Sequence, residues 1–288
     1  QDHLDYHGDL ERYFAAKALL FRGLGQKAKE AVAVINLDDA WGQRLLQIAA
    51  PRVGHVAYGF HPNALVRAAD YRPTPTGSIC AFETPWGDGQ LELPLPGAFN
   101  VSNALAALAT AGALGLDPVW AAAILAQMPP VPGRLEAIPH PGGPRVFVDY
   151  AHTPDALAQV LQTLRETTTG RLWVVFGCGG DRDRGKRPLM GALAAQYADQ
   201  VVITSDNPRS EDPAQIAAEI TAGLPPGVTA QCLLDRAVAI HQTLHAAAPA
   251  DTILIAGKGH EAYQELADCV KPFDDREVAR AVLNPTPN

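Results

Sequence analysis

Charged residues and glycines follow directly after several short apolar segments in the second half of this 288-residue chain. The four clusters are Asp149-Tyr150-Ala151-His152, GCGGDRD at 177–183, Asp206-Asn207-Pro208-Arg209 and GKGHE at 257–261. Guanidinium groups bind carboxylates through paired hydrogen bonds, and carboxylates bind ammonium groups. The two charge types together favour a zwitterionic ligand.

Segment 180–186 imitates a phosphate-binding loop. Its spacing is that of the motif GxxxxGK[ST], but Arg187 stands where a hydroxyl would bind magnesium. Asp181 and Asp183 would also repel a triphosphate. The pattern therefore indicates that this segment is not a true phosphate-binding loop. Arg182 is instead predicted to pair with the carboxylate of a zwitterionic ligand.

The clusters must be positioned by the elements that precede them. The second half is predicted to alternate strands at 145–150, 172–177, 200–205, 229–233 and 252–256 with helices at 155–165, 188–197, 213–222 and 237–247. This alternation predicts right-handed β-α-β units and a mostly parallel, doubly wound sheet. Such sheets bind ligands at the carboxyl ends of their strands, so the four clusters are predicted to share one edge.

The first half is less regular. Helices are predicted at 13–21, 100–114 and 118–128, and strands at 31–35, 53–60, 78–83 and 90–93, the last two forming an antiparallel pair. Asn100 or Ser102 is the predicted N-cap of the second helix. The proline-rich segment 129–133 is the predicted domain boundary, which gives domains at 1–133 and 134–288.

Composition excludes several classes of protein. The net charge of −8 gives no basic field for nucleic acid or an anionic membrane. No apolar run reaches the roughly 20 residues of a membrane span, and no signal peptide is predicted. Four cysteines without a C-x-x-C pair fit reduced thiols in the cytoplasm better than a zinc site or a disulfide framework. The sequence leaves the oligomeric state open.

Seven strings along the chain together resemble the Mur ligases, which build the stem peptide of peptidoglycan. They are, in order, DHLDYHGDLERYFAAK, GAFNVSNALAALA, GRLE, VDYAHTPDAL, FGCGGDRDRGKRP, DNPRSEDP and AGKGHE. The resemblance runs over nearly the whole chain. It implies an α/β fold in which half of a central ATP-binding domain precedes a Rossmann-like amino-acid-binding domain. It also implies that the family's N-terminal domain and true P-loop are missing, so the chain alone is expected to be inactive.

The activity implied by the resemblance is ATP-dependent amide formation with Mg²⁺. UDP-N-acetylmuramoyl-L-alanyl-D-glutamate takes the γ-phosphoryl group of ATP on its carboxylate, and the amine of meso-diaminopimelate attacks the resulting acyl phosphate. Arg209 is expected to select diaminopimelate, because its guanidinium can bind the distal carboxylate that lysine lacks.

The resemblance also assigns residues. His3 and a carbamylated Lys17 match the family's catalytic, metal-ligating positions, carbamylation giving the lysine an oxygen that Mg²⁺ accepts. Residues that match ATP-binding positions are Asn100, Asn103, Arg134, Asp149 and His152. Residues that match the pocket of the incoming amino acid are Arg182, Asp206, Asn207, Pro208, Arg209, Gly257 and Glu261.

Two alternatives remain at this point. A relative of folylpolyglutamate synthetase would share the architecture and the carbamylated lysine, but is expected to lack DNPR and GKGHE. A nucleotide-binding module without catalysis would carry a G-x-G-x-x-G turn after its first strand, and the sequence has none there.

Overall fold

The structure is a computed structural model that describes residues 9–26, 30–49 and 53–284. The chain divides into two compact units, Gln1–Pro129 and Pro130–Asn288. The division predicted after Gly133 lies inside the second unit. Both units combine helices with sheets, so the predicted α/β class is confirmed.

The first unit contains a five-stranded sheet in the order β1-β2-β3-β4-β5. Its elements are α1 (Leu10–Gly23), β1 (Val32–Asn36), α2 (Ala40–Ala49), β2 (Gly54–Gly59), β3 (Val66–Thr74), β4 (Gly77–Glu83), β5 (Gly89–Leu93), α3 (Ala98–Ala113) and α4 (Pro118–Leu125). Strands β1, β2 and β3 are parallel, whereas β4 runs antiparallel to both of its neighbours. The predicted antiparallel pair is therefore confirmed, as β4 and β5.

Successive strand residues face opposite sides of this sheet, and both sides are covered. Val56 and Phe82 belong to a core on one face that includes Leu105 of α3. Ala33 and Ile35 of β1 pack on the other face with Ala49 of α2. The strands thus bury apolar side chains in both directions.

The start of α3 differs from the prediction. The N-cap is Gly97 at φ 102°, and no side chain caps the helix. Asn100 lies in the first turn, where its amide Nδ2 donates to the Pro96 carbonyl at 2.9 Å. The prediction of Asn100 or Ser102 as N-cap was wrong, because a glycine at positive φ turns the chain three residues before Asn100.

The second unit contains a six-stranded sheet in the order β10-β9-β8-β11-β7-β6 and a short antiparallel hairpin, β12-β13. Its elements are β6 (Glu136–Ile138), β7 (Arg145–Asp149), α5 (Pro154–Arg165), β8 (Leu172–Phe176), α6 (Lys186–Tyr197), β9 (Gln200–Ile203), α7 (Pro213–Thr221), β10 (Gln231–Cys232), α8 (Arg236–Ala246), β11 (Thr252–Ala256), β12 (Tyr263–Glu265), β13 (Val270–Pro272) and α9 (Asp275–Leu283). All pairs in the large sheet are parallel except β6 with β7.

This sheet is wound on both faces, as predicted. Val148 and Val175 point into a core with Ile240 of α8 and Ala279 of α9. The opposite face is covered by α5, α6 and α7. Strands β8 and β11 are buried along their whole length, which explains why they read as continuous apolar runs in the sequence.

No helix in the described part of the chain is both long and apolar enough to cross a membrane.

Candidate functional site

The carboxyl ends of β9, β8, β11 and β7 lie next to one another along the second sheet. Each of the four predicted clusters begins at the end of one of these strands or within three residues after it. The clusters therefore meet at one edge, where a parallel α/β sheet binds its ligands.

At the end of β7, Asp149 is a buried hydrogen-bond acceptor. Its carboxylate accepts from the backbone N–H of Leu135 at 2.6 Å and of Ala151 at 2.8 Å. Burial raises the pKa of Asp149, although these two bonds oppose the rise. The carboxylate thus joins the chain before β6 to the turn after β7.

The residues around Tyr150 form an aromatic and cationic group. The Arg134 guanidinium lies 4.9 Å from the centre of the Tyr150 ring. The rings of His152 and His260 lie 4.7 and 5.6 Å from the same ring. A planar cation beside aromatic rings can stack on a flat ligand, and Arg134 itself is exposed.

Gly257 brings the turn after β11 close to Asp206. Its φ is +113°, and a Cβ atom there would lie 2.7 Å from a carboxylate oxygen of Asp206. Only glycine combines that conformation with that contact. Asp206 is buried, and burial raises the pKa of its carboxyl group.

Asn207, Lys258 and Glu261 form a polar network between the ends of β9 and β11, in which Asn207 and Lys258 are buried and Glu261 is half-buried. Lys258 Nζ donates to Asn207 Oδ1 at 3.0 Å and to Glu261 Oε2 at 3.2 Å. Asn207 Nδ2 donates to the same Glu261 oxygen at 3.0 Å. Lys258 belongs to the GKGHE string but has no predicted role. Its importance depends on burial and on partners distant in sequence, which the string alone does not show.

Arg209 lies beside this network in a strained backbone conformation. Its φ is +50°, in the left-handed region that non-glycine residues rarely adopt. Its Nε donates to Glu265 at 2.9 Å and its Nη1 to the Gly180 carbonyl at 2.8 Å. Nη2 has no hydrogen-bond partner in the described part of the chain, so one arm of the guanidinium is available. The preceding residue, Pro208, is buried.

The loop after β8 exposes Arg182, which has no hydrogen bond or ion pair to any described residue. Arg187, at the would-be hydroxyl position of the P-loop pattern, is instead fully buried and pairs with Glu211 at 2.9 Å and Glu219 at 2.7 Å. The hydrogen bonds from Arg187 lower the pKa of Glu211 to about 2. Arg187, on α6, thus ties the loop that contains Glu211 to helix α7, which contains Glu219.

The remaining predicted residues belong to the first unit. Lys17 lies on α1, is exposed and places its Nζ 5.3 Å from the centre of the Tyr13 ring. Asn103 is exposed on α3, one turn after the half-buried Asn100, so both lie on the same helix face. His3 lies outside the described residues. Among those that are described, no group of three or more His, Cys, Asp or Glu side chains is arranged to hold a metal ion.

Fold and site together define a class of protein. Residues 1–111 match the Mur ligase middle domain, and residues 133–259 match the Mur ligase, glutamate ligase domain. The chain belongs to the Mur ligase family.

A curated relative narrows the comparison. The UDP-N-acetylmuramoyl-L-alanyl-D-glutamate–2,6-diaminopimelate ligase of Thermosynechococcus vestitus is 50% identical over 285 residues, which are 98% of this chain and 56% of the relative. A solved structure of a ligase with the same name is 41% identical, with a TM-score of 0.68 over 99% of this chain and 58% of its own. The chain therefore spans little more than half the length of these relatives.

The fold is also shared more widely. Folylpolyglutamate synthase from Mycobacterium tuberculosis, solved with ADP and AMPPCP, has a TM-score of 0.67 at 21% identity over 94% of this chain and 60% of its own. That similarity concerns the fold alone. The prediction that the two kinds of ligase share a fold is thereby confirmed.

Proposed function

We propose that the chain forms part of an ATP-dependent ligase that joins meso-diaminopimelate to UDP-N-acetylmuramoyl-L-alanyl-D-glutamate. The names of its relatives support this substrate pair. The observation that carries the proposal is the position of Arg209 beside the acidic network of Asp206 and Glu261. A ligand with an ammonium group and a carboxylate at each end finds partners of both signs there.

The incoming amino acid binds at the carboxyl edge of the second sheet in this proposal. Glu261, Asp206 and Asn207 bind an ammonium group, while Arg182 and Arg209 bind carboxylates. Pro208 and Gly257 shape the two turns. A ligand without the distal carboxylate, such as L-lysine, leaves Nη2 of the half-buried Arg209 without a partner, so it binds more weakly.

The reaction requires three reactive groups to be aligned. A carboxylate oxygen of the dipeptide attacks the γ-phosphorus of ATP, and ADP leaves. The amine nitrogen of diaminopimelate then attacks the acyl carbon, phosphate leaves, and the nitrogen loses a proton. The second unit contributes by binding the diaminopimelate amine in a fixed position. Its attack on the acyl phosphate then becomes an effectively unimolecular step.

ATP binding is proposed for Asn100 and Asn103 in the first unit and for Arg134, Asp149 and His152 in the second. The cationic and aromatic group around Tyr150 supports this assignment. A guanidinium can bind the phosphate groups of ATP, and imidazole rings can stack on its adenine base. The assignment of an ATP-binding domain to residues 1–133 and an amino-acid-binding domain to residues 134–288 belongs to the same proposal. Because ATP is an intracellular substrate, the proposed location is the cytoplasm.

Magnesium is proposed at His3 and Lys17. As an ammonium, Lys17 does not fit, because it repels a cation. As a carbamate it offers an oxygen of carboxylate type, which Mg²⁺ accepts. Magnesium at this position would neutralise phosphate charge.

Calorimetric titration of the chain with meso-diaminopimelate and with L-lysine tests the amino-acid site. We expect binding of the first at least about tenfold tighter than of the second. The variant Arg165→Ala is the control and should keep the wild-type preference between the two ligands. Arg165 also pairs with a carboxylate, that of Asp199, but at the opposite edge of the sheet. Equal affinities for both ligands in the wild type would contradict the proposal.

A further inference from the structure

A fully buried lysine lies beneath the proposed amino-acid pocket. Lys258 has no exposed surface, and its ammonium group is held by the Asn207 amide oxygen and by Glu261. Asp206 Oδ1 lies 4.0 Å away on the other side. Burial of an unpartnered ammonium would be costly, and these oxygens offset that cost for Lys258.

The contacts of Lys258 fix the orientation of its two main partners. Asn207 Oδ1 accepts from Lys258 Nζ and from the backbone N–H of Glu265, each at 3.0 Å. Its Nδ2 must then face Glu261 Oε2, which also accepts from Lys258. The other oxygen, Oε1, accepts a 3.4 Å bond from the Tyr150 hydroxyl. The protein therefore occupies one oxygen of Glu261 and leaves the other lightly bonded.

The charges around the lysine nearly cancel. Asp206 after β9, Glu261 after β11 and Tyr263 on β12 lie next to Lys258. The charged or titratable groups that act on Asp206 or Glu261 in turn are Arg236 on α8, Asp275 on α9 and Tyr150 after β7. Arg236 and Asp275 form a neutral pair at 2.7 Å. Lys258 cancels one of the two remaining carboxylates, which leaves a single negative charge.

We propose that Lys258 is a positioning residue for the incoming diamino acid, holding Glu261 and Asn207 so that Glu261 Oε1 receives the ligand's ammonium group. Lys258 does not touch the ligand itself. It also reduces the charge of the two carboxylates to match one ammonium group. This inference rests on the proposed function.

The proton on Asp206 provides a signature that a merely structural lysine would not have. Burial raises the pKa of Asp206, and the charge of Lys258 opposes that rise. Without Lys258, Asp206 takes up a proton at a higher pH. Binding of a cationic group must then release that proton, so the affinity increases with pH.

The experiment is calorimetry of the full chain with meso-diaminopimelate at several pH values between about 6 and 9, in which a rise of affinity with pH reports loss of the proton from Asp206. We expect Lys258→Met to weaken binding about tenfold or more near neutral pH, with recovery as the pH rises. Lys271→Met, an exposed lysine on β13, is the control and should match the wild type. Wild-type affinity in Lys258→Met, or an equal loss at every pH, would overturn the proposal.

A second variant separates positioning from direct contact. If Lys258 acts through Glu261, the double variant K258M/E261Q should bind as E261Q does at the high end of the pH range, where Asp206 carries no proton. Additional loss there in the double variant would overturn the proposal. The double variant removes one charge of each sign, so it serves as the test even where Lys258→Met alone does not fold.

Failure of the proposed function gives a different result. A wild type that binds no meso-diaminopimelate contradicts the substrate assignment. The ¹³C NMR titration of the Asp206 carboxyl group in the wild type and in Lys258→Met still decides whether Lys258 controls its proton.

Discussion

Replacement of Arg209 by alanine is the most informative perturbation of the pocket. Its side chain is 20% exposed, with Nε and Nη1 bonded to Glu265 and Gly180 and with Nη2 available. A hydrogen bond to a charged group contributes about 1.5–3 kcal/mol, which corresponds to about 10- to 150-fold in affinity. Partial exposure of Arg209 screens the interaction, so we expect the lower end, about tenfold.

The assay is calorimetric titration of wild type and Arg209→Ala with two ligands. Affinity for meso-diaminopimelate should fall about tenfold, while affinity for L-lysine should stay within about twofold, because lysine lacks the second carboxylate. The fold should persist, since a partly exposed ion pair contributes at most about 1 kcal/mol.

Loss of Arg209 also leaves Glu265 without its partner, and a free carboxylate there would repel the ligand. The double variant R209A/E265Q removes that repulsion and should still fail to discriminate between the ligands. An unchanged ratio of the two affinities in Arg209→Ala would refute the role of Arg209. A recovered ratio in the double variant would show that repulsion by Glu265 caused the loss.

Three further predictions concern the supports of the site. Gly257→Ala should lower the free energy of unfolding in urea by about 1–3 kcal/mol, more than Gly142→Ala, which shares a positive φ but meets no atom within 4 Å; equal losses would contradict the close contact with Asp206. Hydrogen bonds from Arg187 lower the pKa of Glu211 from 4.5 to about 2. The stability that the ionised Glu211 contributes is therefore fully present above pH 4.5 and is lost as the pH falls toward 2. Glu211→Gln should flatten that part of an acid-denaturation profile, and an unchanged slope would refute the linkage. Intact mass in bicarbonate should show one added carbon dioxide that Lys17→Ala lacks, and an unmodified mass of the wild type would count against carbamylation.

Much of the second unit could be predicted because each strand is a short apolar run followed by glycine or charge. Strand β11 is buried from Thr252 to Ala256 and reads as a run without alternation. The edge strand β6 and the hairpin β12-β13 were not predicted, because three-residue strands carry too little pattern.

The first unit was harder to predict because local signals conflict with packing. Helix α2 contains Gly42, which lowers helix propensity. A Cβ atom on Gly42 would lie 1.8 Å from the Asn36 carbonyl oxygen, so tertiary contact requires the glycine within the helix. Helix α2 was not predicted, although Asp39 accepts a hydrogen bond from the Trp41 N–H at its start.

The candidate site could likewise be predicted only in part from the sequence. Strand order brings Asp149, Asp206, Arg209 and Glu261 to one edge, and the alternation of elements predicts this grouping. The role of Lys258 depends on a side chain that is fully buried between partners on other strands. Residue types and spacing do not encode such a contact, so only the structure could reveal it.

A crystal structure of the chain soaked with meso-diaminopimelate would show which residues bind the amino acid. We expect the ligand at the carboxyl edge of the second sheet, with one carboxylate on the Arg209 guanidinium and an ammonium group on Glu261. Density for the ligand elsewhere, or a bound ligand that leaves Arg209 in contact only with Glu265 and Gly180, would contradict it.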